Sequence, residues 1–194
     1  MTRARRAEDW ARDLSLARAG ESRLAQILRA DARLDGVEDH TGDYERLDFS
    51  FRYRGLEVRL DLKEKRQPYS ARYRQMWPEV EAPNLFIVDE TVFRRVVWQG
   101  GGGYLVVHDL PERRWLFFGP WELTLGPRRR YRRWGRRAGP SFSKGKLLLD
   151  LGAAAHEASS FTVDDLLEVI DRSRGARDGV EAVPIRGQDL PEIT

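Results

Sequence analysis

The chain has 194 residues but no cysteine, and it contains only three histidines and two methionines. The lack of cysteine excludes a disulfide framework and any zinc site built on thiolates. The histidines, His40, His108 and His156, are far apart in the sequence and leave little for a histidine-built metal site. A bound metal ion would therefore need carboxylate oxygens, which are the ligands that Mg²⁺ and Mn²⁺ prefer.

Long apolar runs are also missing from the sequence. No segment approaches the roughly 20 apolar residues of a membrane-spanning helix, and the arginine-rich N-terminus has no apolar segment of the secretory type. We therefore expect a cytoplasmic protein with no membrane partner. Hydrophobic residues make up 41% of the chain and include six Trp, eight Phe and six Tyr. This composition is typical of a globular fold, and the length suits a single domain.

Acidic residues are absent from residues 126–146, which carry seven Arg and two Lys. Such clustering of one sign of charge indicates a surface that binds a polyanion, and the interleaved rings of Tyr131 and Trp134 could stack on bases. The alternatives are a solvated flexible loop or the arginine preference of a GC-rich genome. With one lysine further upstream, the predicted nucleic-acid-binding residues are Lys65, Arg128, Arg129, Arg130, Arg132, Arg133, Trp134, Arg136, Arg137, Lys144 and Lys146.

Apolar and polar side chains alternate strictly over residues 45–65. This period of two predicts a pair of antiparallel strands joined by a tight turn at Arg54-Gly55. If the turn has two residues, every apolar residue of one strand meets an apolar residue of the other. The predicted pairs are Tyr53–Leu56, Phe51–Val58, Phe49–Leu60 and Leu47–Leu62.

On the polar face of this hairpin the same register places Asp48 opposite Asp61. Directly opposed like charges destabilise a hairpin by up to about 1 kcal/mol, and their Cβ atoms lie about 5 Å apart, so both carboxylates can bind one cation. Lys63 leaves the same face two residues after Asp61. The pattern predicts a functional site at which both carboxylates could reach one cation. The alternatives are an ordinary solvated face and a shift in register, which would separate the two aspartates.

Asp48 followed by Asp61-Leu62-Lys63 on the next strand resembles the core motif of the PD-(D/E)xK, or restriction-endonuclease-like, nuclease superfamily. The resemblance covers roughly residues 14 to 90, and Leu47 stands where many members have proline. It implies a Mg²⁺ or Mn²⁺ ion bound by Asp48, Asp61 and the backbone carbonyl of Leu62, with Lys63 acting on the attacking water.

In that superfamily an acidic residue from the preceding helix often completes the catalytic and metal site. The acid on the apolar stripe of the predicted N-terminal helix is Glu21. The resemblance therefore implies that Glu21 binds the ion directly or through water. The alternative is that Glu21 only interacts favourably with the helix dipole after Gly20.

The expected fold class is α/β (α+β), with an N-terminal helix over residues 4–34 packed on a mixed β-sheet. The sheet contains the central catalytic hairpin of a restriction-endonuclease-like core, and residues 84–89 predict a central strand of it. Residues 93–98 and 104–108 predict a second hairpin. A C-terminal helix is expected over residues 161–173, with Thr162 as its N-cap and Phe161 packed against Leu166.

These elements predict one nuclease-like domain over residues 1–174. It would consist of a core at about residues 14–90, a β-rich extension with the basic segment at residues 91–152, and the C-terminal helix. The polar residues 175–194, with Pro184 and Pro191, are expected to form a flexible tail.

Two functions follow from these observations. The first is a metal-dependent endonuclease that hydrolyses phosphodiester bonds of nucleic acid, with DNA as the expected substrate, in recombination, repair or defence. The alternative is a nucleic-acid-binding protein that keeps the nuclease-like fold without cutting. Cutting both strands of a duplex would call for two sites, so a homodimer, or a partner protein bound through the tail, is a further expectation.

Overall fold

The computed structural model describes residues 7–43, 45–69, 75–98, 103–132 and 145–178. Four helices and nine strands are formed in these ranges. The helices are α1 (Ala7–Ala30), α2 (Glu90–Trp98), α3 (Pro120–Leu125) and α4 (Val163–Asp178). The strands are β1 (Asp35–Asp39), β2 (Phe49–Tyr53), β3 (Leu56–Lys65), β4 (Leu85–Asp89), β5 (Gly103–Asp109), β6 (Arg114–Phe118), β7 (Arg128–Arg132), β8 (Gly145–Asp150) and β9 (His156–Ala158).

The strands form two sheets. Six of them make a sheet in the order β1-β2-β3-β5-β6-β9, and the other three make a smaller sheet in the order β4-β8-β7. In the larger sheet β3 and β5 are parallel and all other neighbours are antiparallel. The predicted α+β class with a mixed sheet is therefore confirmed. No helix in the described ranges has both the length and the apolar character needed to cross a bilayer.

The hairpin of β2 and β3 forms in the predicted register. Tyr53 pairs with Leu56, and the ladder continues to Phe49 and Leu60. Arg54 and Gly55 adopt φ angles of 49° and 76° at the turn. Two consecutive positive φ angles are typical of a type I′ turn, whose twist matches that of the strands it joins.

The predicted pairing of Leu47 with Leu62 is wrong. Leu47 precedes β2 and lies in a core cluster with Phe86 and Val88, whereas Leu62 lies in the other core cluster with Phe49. The chain therefore changes direction between Leu47 and the start of β2. The alternation of polar and apolar residues continues through Leu47 although the strand begins only at Phe49. The pattern therefore does not locate the end of the strand.

The larger sheet is covered on both faces, which explains why side chains on both faces of its central strand β5 are buried. On one face α1 and α4 pack against β2, β3 and β5 through a cluster that includes Leu28, Phe49, Val106 and Leu166. On the other face α2, α3 and the smaller sheet form a second cluster with β5 and β6. These two layers of apolar side chains fix β3, the strand that carries Asp61 and Lys63, in the interior of the molecule.

Two expectations for the middle of the chain are wrong. Residues 93–98 are not a strand but belong to α2, because Phe93 and Val96 lie one helical turn apart and are both buried. The run at residues 84–89 is not a central strand, since β4 lies at the edge of the smaller sheet. The extension expected to be rich in β-structure thus contains the helices α2 and α3 as well as strands.

The C-terminal helix begins as predicted but runs further. The Thr162 hydroxyl oxygen accepts a hydrogen bond from the Asp165 backbone N–H at 3.1 Å, which confirms the N-cap. Phe161 packs against the core cluster that contains Leu166. The helix continues to Asp178, so the first residues of the expected tail are helical. The remainder of that tail, residues 179–194, lies outside the described residues.

Candidate active site where strand β2 leaves strand β3

Strand β3 extends beyond its partner β2, and the two strands separate at Asp48. The backbone carbonyl of Asp48 accepts a hydrogen bond of 2.8 Å from the His40 N–H, so its main chain pairs on the β1 side. Its side-chain Oδ2 accepts a bond of 2.8 Å from the Leu62 backbone N–H. The carboxylate of Asp48 therefore lies against β3 at the point where the backbone ladder between the two strands ends.

Three oxygen atoms converge on the ammonium group of Lys63. Its Nζ lies 2.7 Å from Asp61 Oδ2 and 3.4 Å from Asp48 Oδ2. The third oxygen is the Leu62 carbonyl, to which Lys63 donates a hydrogen bond of 3.0 Å. The carboxylates of the two strands are thus close enough to contact one cation. The resemblance to the PD-(D/E)xK superfamily implies that Asp48, Asp61 and the Leu62 carbonyl together bind a metal ion.

Asp61 is held in an unfavourable environment for a carboxylate. It is only 3% exposed. The contact of its Oδ2 with Lys63 is an ion pair, and no hydrogen bond of good geometry reaches this atom from the described residues. Burial raises the pKa of Asp61 to about 7, an effect that Lys63 opposes and Asp48 reinforces. A buried carboxylate that lacks hydrogen bonds costs stability, which is usual at sites that bind a ligand.

Burial and the neighbouring charges also change the pKa of Lys63. Burial lowers the pKa of its ammonium group, but the nearby carboxylates of Asp61 and Asp48 outweigh burial and raise that pKa overall. Lys63 is therefore a cation within the site and balances part of the charge of the two aspartates.

Glu21 of α1 is close enough to this site to be affected by it. Burial raises the pKa of Glu21, Asp48 adds to the rise, and Lys63 opposes it. Within the described ranges, however, no three or more Asp, Glu or His side chains lie close enough together to hold a metal ion. In this arrangement Glu21 is near Asp48 and Lys63 but does not join the two aspartates as a third carboxylate.

Arg95 of α2 is a charged neighbour of the site that the sequence reasoning missed. Its positive charge lowers the pKa of Asp61, so it lies near that carboxylate, and it is partly buried. Among the described residues it has no hydrogen-bond or ion-pair partner within 4 Å. Interpreting residues 93–98 as a strand concealed it. If residues 93–98 are interpreted as a helix with Phe93 and Val96 buried, Arg95 is expected beside that buried side, close to the sheet.

Lys65 does not belong to a nucleic-acid-binding surface, contrary to the prediction. It is 2% exposed, and its ammonium group donates to Asp109 Oδ2 at 3.1 Å and to the Pro83 carbonyl. Arg114 contacts the same Asp109 oxygen at 3.3 Å. A lysine in the interior with these partners stabilises the fold and cannot reach a phosphate.

The described part of the basic segment is also engaged within the protein. Arg129 forms a pair with Glu79 at 3.0 Å and Arg130 with Glu90 at 2.9 Å. Arg128 donates to the carbonyls of the preceding helix, and Lys146 contacts Asp89. Acidic residues from other parts of the chain thus form ion pairs with Arg129, Arg130 and Lys146. The side chain of Arg132 and the residues Arg133, Trp134, Arg136, Arg137 and Lys144 lie outside what the structure describes.

Comparison of the chain with protein-family models, with curated proteins and with solved structures found no match. The resemblance to the PD-(D/E)xK superfamily therefore rests on Asp48, Asp61, Lys63 and the hairpin that carries them. The function has to be inferred from the geometry of this site.

Proposed function

We propose that the protein is a nuclease that depends on Mg²⁺ or Mn²⁺ and hydrolyses phosphodiester bonds, with DNA as its substrate. The observation that carries this proposal is the convergence of Asp48 Oδ2, Asp61 Oδ2 and the Leu62 carbonyl on one cationic group, the ammonium of Lys63. Two carboxylates brought this close together repel each other, and a divalent cation bound between them would relieve that repulsion.

The donor atoms of the site fit a hard divalent cation. All three are oxygens, and two belong to carboxylates, which is the usual protein contribution to a magnesium site. Asp61 Oδ2 is buried and lacks a hydrogen bond, so it can accept a further positive partner. Asp48, Asp61 and the Leu62 carbonyl would hold the ion, and Glu21 would contribute from α1 through water.

The chemistry also needs these residues. When bound, a divalent cation neutralises the charge of the phosphate and lowers the pKa of a coordinated water. Asp61 on β3 and Asp48, directly before β2, would hold the ion from two different segments of the chain. Lys63 would leave their carboxylates to hold the attacking water and to balance the charge that develops on the phosphate. Arg95, which has no ion-pair partner in the described ranges, would bind a non-bridging oxygen of that phosphate.

The alternative, a protein that binds nucleic acid without cutting it, is less well supported. It needs a surface of unpaired basic groups, whereas Arg129, Arg130 and Lys146 form ion pairs within the chain. It also gives no reason for a buried Asp61. The site at β3 therefore favours the nuclease.

The proposal is tested by incubating the protein with plasmid, linear duplex, branched DNA and RNA, with and without Mg²⁺ or Mn²⁺. We expect cleavage that EDTA abolishes and that Mg²⁺ restores. Asp61→Asn and Lys63→Met should each lower the rate by about 100-fold or more, because each removes a group that acts on the reacting atoms. Glu57→Gln, an exposed carboxylate on the same hairpin, is the matched control and should cut like the parent.

Two results would overturn the proposal. One is the absence of metal-dependent cleavage of every substrate by a folded parent protein. The other is equal cleavage by the parent, Asp61→Asn and Lys63→Met, which would show that the activity belongs to another site or to a contaminant. Isothermal titration with Mn²⁺ provides an independent readout, since Asp61→Asn should weaken binding of the ion and Glu57→Gln should not.

A further inference from the structure

A cavity of about 740 Å³ lies beside the candidate active site. It is bounded by α1, by the C-terminal ends of β3 and β5, and by the loop between β9 and α4. Its volume is within the range of roughly 300–1,000 Å³ typical of sites for small organic ligands. The cavity is therefore large enough to hold one planar heterocycle together with its substituents.

One side of the cavity is an aromatic wall. His108 and Trp115 are stacked with their ring centroids 3.9 Å apart and their planes at 9°. Phe161 meets Trp115 edge to face at 5.4 Å. Leu110, next to this wall, is 41% exposed, which is unusual for a large apolar side chain in this protein. A flat aromatic ligand would cover these surfaces.

The opposite side of the cavity carries charge. Arg23 of α1 lines it, is exposed, and has no hydrogen-bond or ion-pair partner among the described residues. Burial lowers the pKa of His108, the carboxylates of Glu64 and Asp109 oppose this, and the positive charge of Arg23 adds to it, so Arg23 and His108 influence each other across the cavity. An unpaired guanidinium next to an apolar cavity is suited to a phosphate.

Hydrogen-bonding groups complete the cavity. The carboxylate of Glu64 lines it and is held by Arg66 at 2.7 Å, and the hydroxyls of Ser159 and Ser160 lie on the loop side. Carboxylate and hydroxyl oxygens can accept hydrogen bonds from the amino and imino groups of a nucleobase. The lining thus combines an apolar stacking surface, polar acceptors and one free cation.

The cavity and the active site are adjacent along two elements. On α1, Gly20 lines the cavity and the next residue, Glu21, is near Asp48 and Lys63. On β3, Glu64 lines the cavity and directly follows Lys63. Helix and strand approach closely here, since a Cβ atom at Gly20 would lie 2.5 Å from Glu64 Oε1. A ligand in the cavity would therefore be separated from the active site by the thickness of a single strand.

We propose that this cavity binds one nucleotide, with the base against His108, Trp115 and Phe161 and the phosphate at Arg23. The identity of the ligand rests on the proposed nuclease function. Its source is either an unpaired nucleotide of the substrate strand or a free mononucleotide. A base enters such a cavity only when it is not paired, so a nucleotide of the substrate strand would come from a strand end or another unpaired position.

Binding is tested without divalent cations and with EDTA, so that no cleavage is required. The probes are a nucleoside monophosphate, the corresponding nucleoside, ribose 5-phosphate, a short single strand and a blunt duplex. Arg23→Ala should weaken binding of the phosphorylated probes by about tenfold, the usual effect of losing a charge-assisted hydrogen bond. Ser160→Trp, which fills the cavity, should abolish binding. Arg29→Ala, an exposed arginine further along α1, is the control and should have no effect.

Binding of the mononucleotide with this dependence supports the proposal and identifies a free nucleotide as a ligand. Binding of the single strand alone, with the same dependence, supports it and identifies the substrate strand. The proposal is overturned if no probe binds, or if Arg23→Ala and Ser160→Trp bind like the parent.

The two proposals fail in different ways. Nucleotide binding that depends on Arg23, in a protein that cuts nothing, would overturn the nuclease and leave the cavity proposal standing. Cleavage without such binding would overturn only the cavity proposal.

Discussion

Individual side chains around Asp61 have distinct parts in the proposed reaction. Asp61 and Asp48 supply oxygens, Lys63 supplies a positive charge between them, and Arg95 adds a second positive charge from the opposite layer. The first three residues were visible in the sequence because they occupy alternating positions on a predicted hairpin. Arg95 was not, since it lies about 35 residues later in the chain, and only the packing of α2 on the sheet brings it near.

Arg95 offers a direct test of the proposed contact between this site and a phosphate. Arg95→Ala should lower the rate of cleavage by about 100-fold, because a cation aimed at the reacting phosphate is lost from a partly buried site. The neighbouring Arg94 is a matched control, since it is exposed and pairs with Glu90 at 2.6 Å. Arg94→Ala should keep the parental rate. The assay is initial rate on the best DNA substrate at saturating Mg²⁺. Equal losses in the two variants would show that Arg95 has no specific part in the reaction.

Some strands and helices of this fold can be predicted from local sequence patterns, and others cannot. The register of β2 and β3 was predicted correctly because one face of that hairpin is apolar and the other is polar. A shift by one residue would bury the charged side chains. The parallel pairing of β3 with β5 was not predictable from local pattern, since the two strands are separated by β4 and α2. Residues 93–98 were misassigned as a strand because the β-branched Val96 and Val97 favour strands locally, and tertiary burial of one face of α2 overrode that preference.

The end of β3 is fixed by a buried ion pair that can be tested separately from the active site. Lys65 and Asp109 belong to the parallel strands β3 and β5, and they are 2% and 0% exposed. Lys65→Met would leave the Asp109 carboxylate in the interior with Arg114 as its remaining charged partner. We expect the free energy of unfolding to fall by about 3–5 kcal/mol. Urea unfolding followed by circular dichroism measures this change.

Two further variants make that measurement decisive. Arg59→Met removes a more exposed pair with Glu57 and should cost at most about 1 kcal/mol. The double variant Lys65→Met/Asp109→Leu removes both buried charges and should be more stable than Lys65→Met alone. A loss in Lys65→Met no larger than in Arg59→Met would mean that the pair does not hold the two strands together.

Over the whole molecule, the basic segment carries less unpaired positive charge than its sequence predicts. The nine basic residues of residues 126–146 have no acid among them, but the fold brings Glu79, Glu90 and Asp89 to three of them. A count of charge along the chain therefore overestimated the free positive charge of this segment. Five further basic residues of the segment, Arg132, Arg133, Arg136, Arg137 and Lys144, stay a prediction from sequence as contacts to nucleic acid.

This difference within one segment gives two variants of equal charge and unequal expected effect. One variant replaces Arg128, Arg129 and Arg130 with Ala, and the other replaces Arg133, Arg136 and Arg137. DNA affinity is measured at several salt concentrations without divalent cations. Each lost phosphate contact should lower the slope of log K against log salt by about 0.9. We expect the second variant to show this loss and the first to keep a slope near that of the parent while unfolding at lower urea concentration, because its arginines bind protein groups. An equal loss of slope in the two variants would show that pairing within the protein does not keep Arg128, Arg129 and Arg130 from contacting DNA. A slope that stays at the parental value in both variants would exclude the segment from the DNA-binding surface.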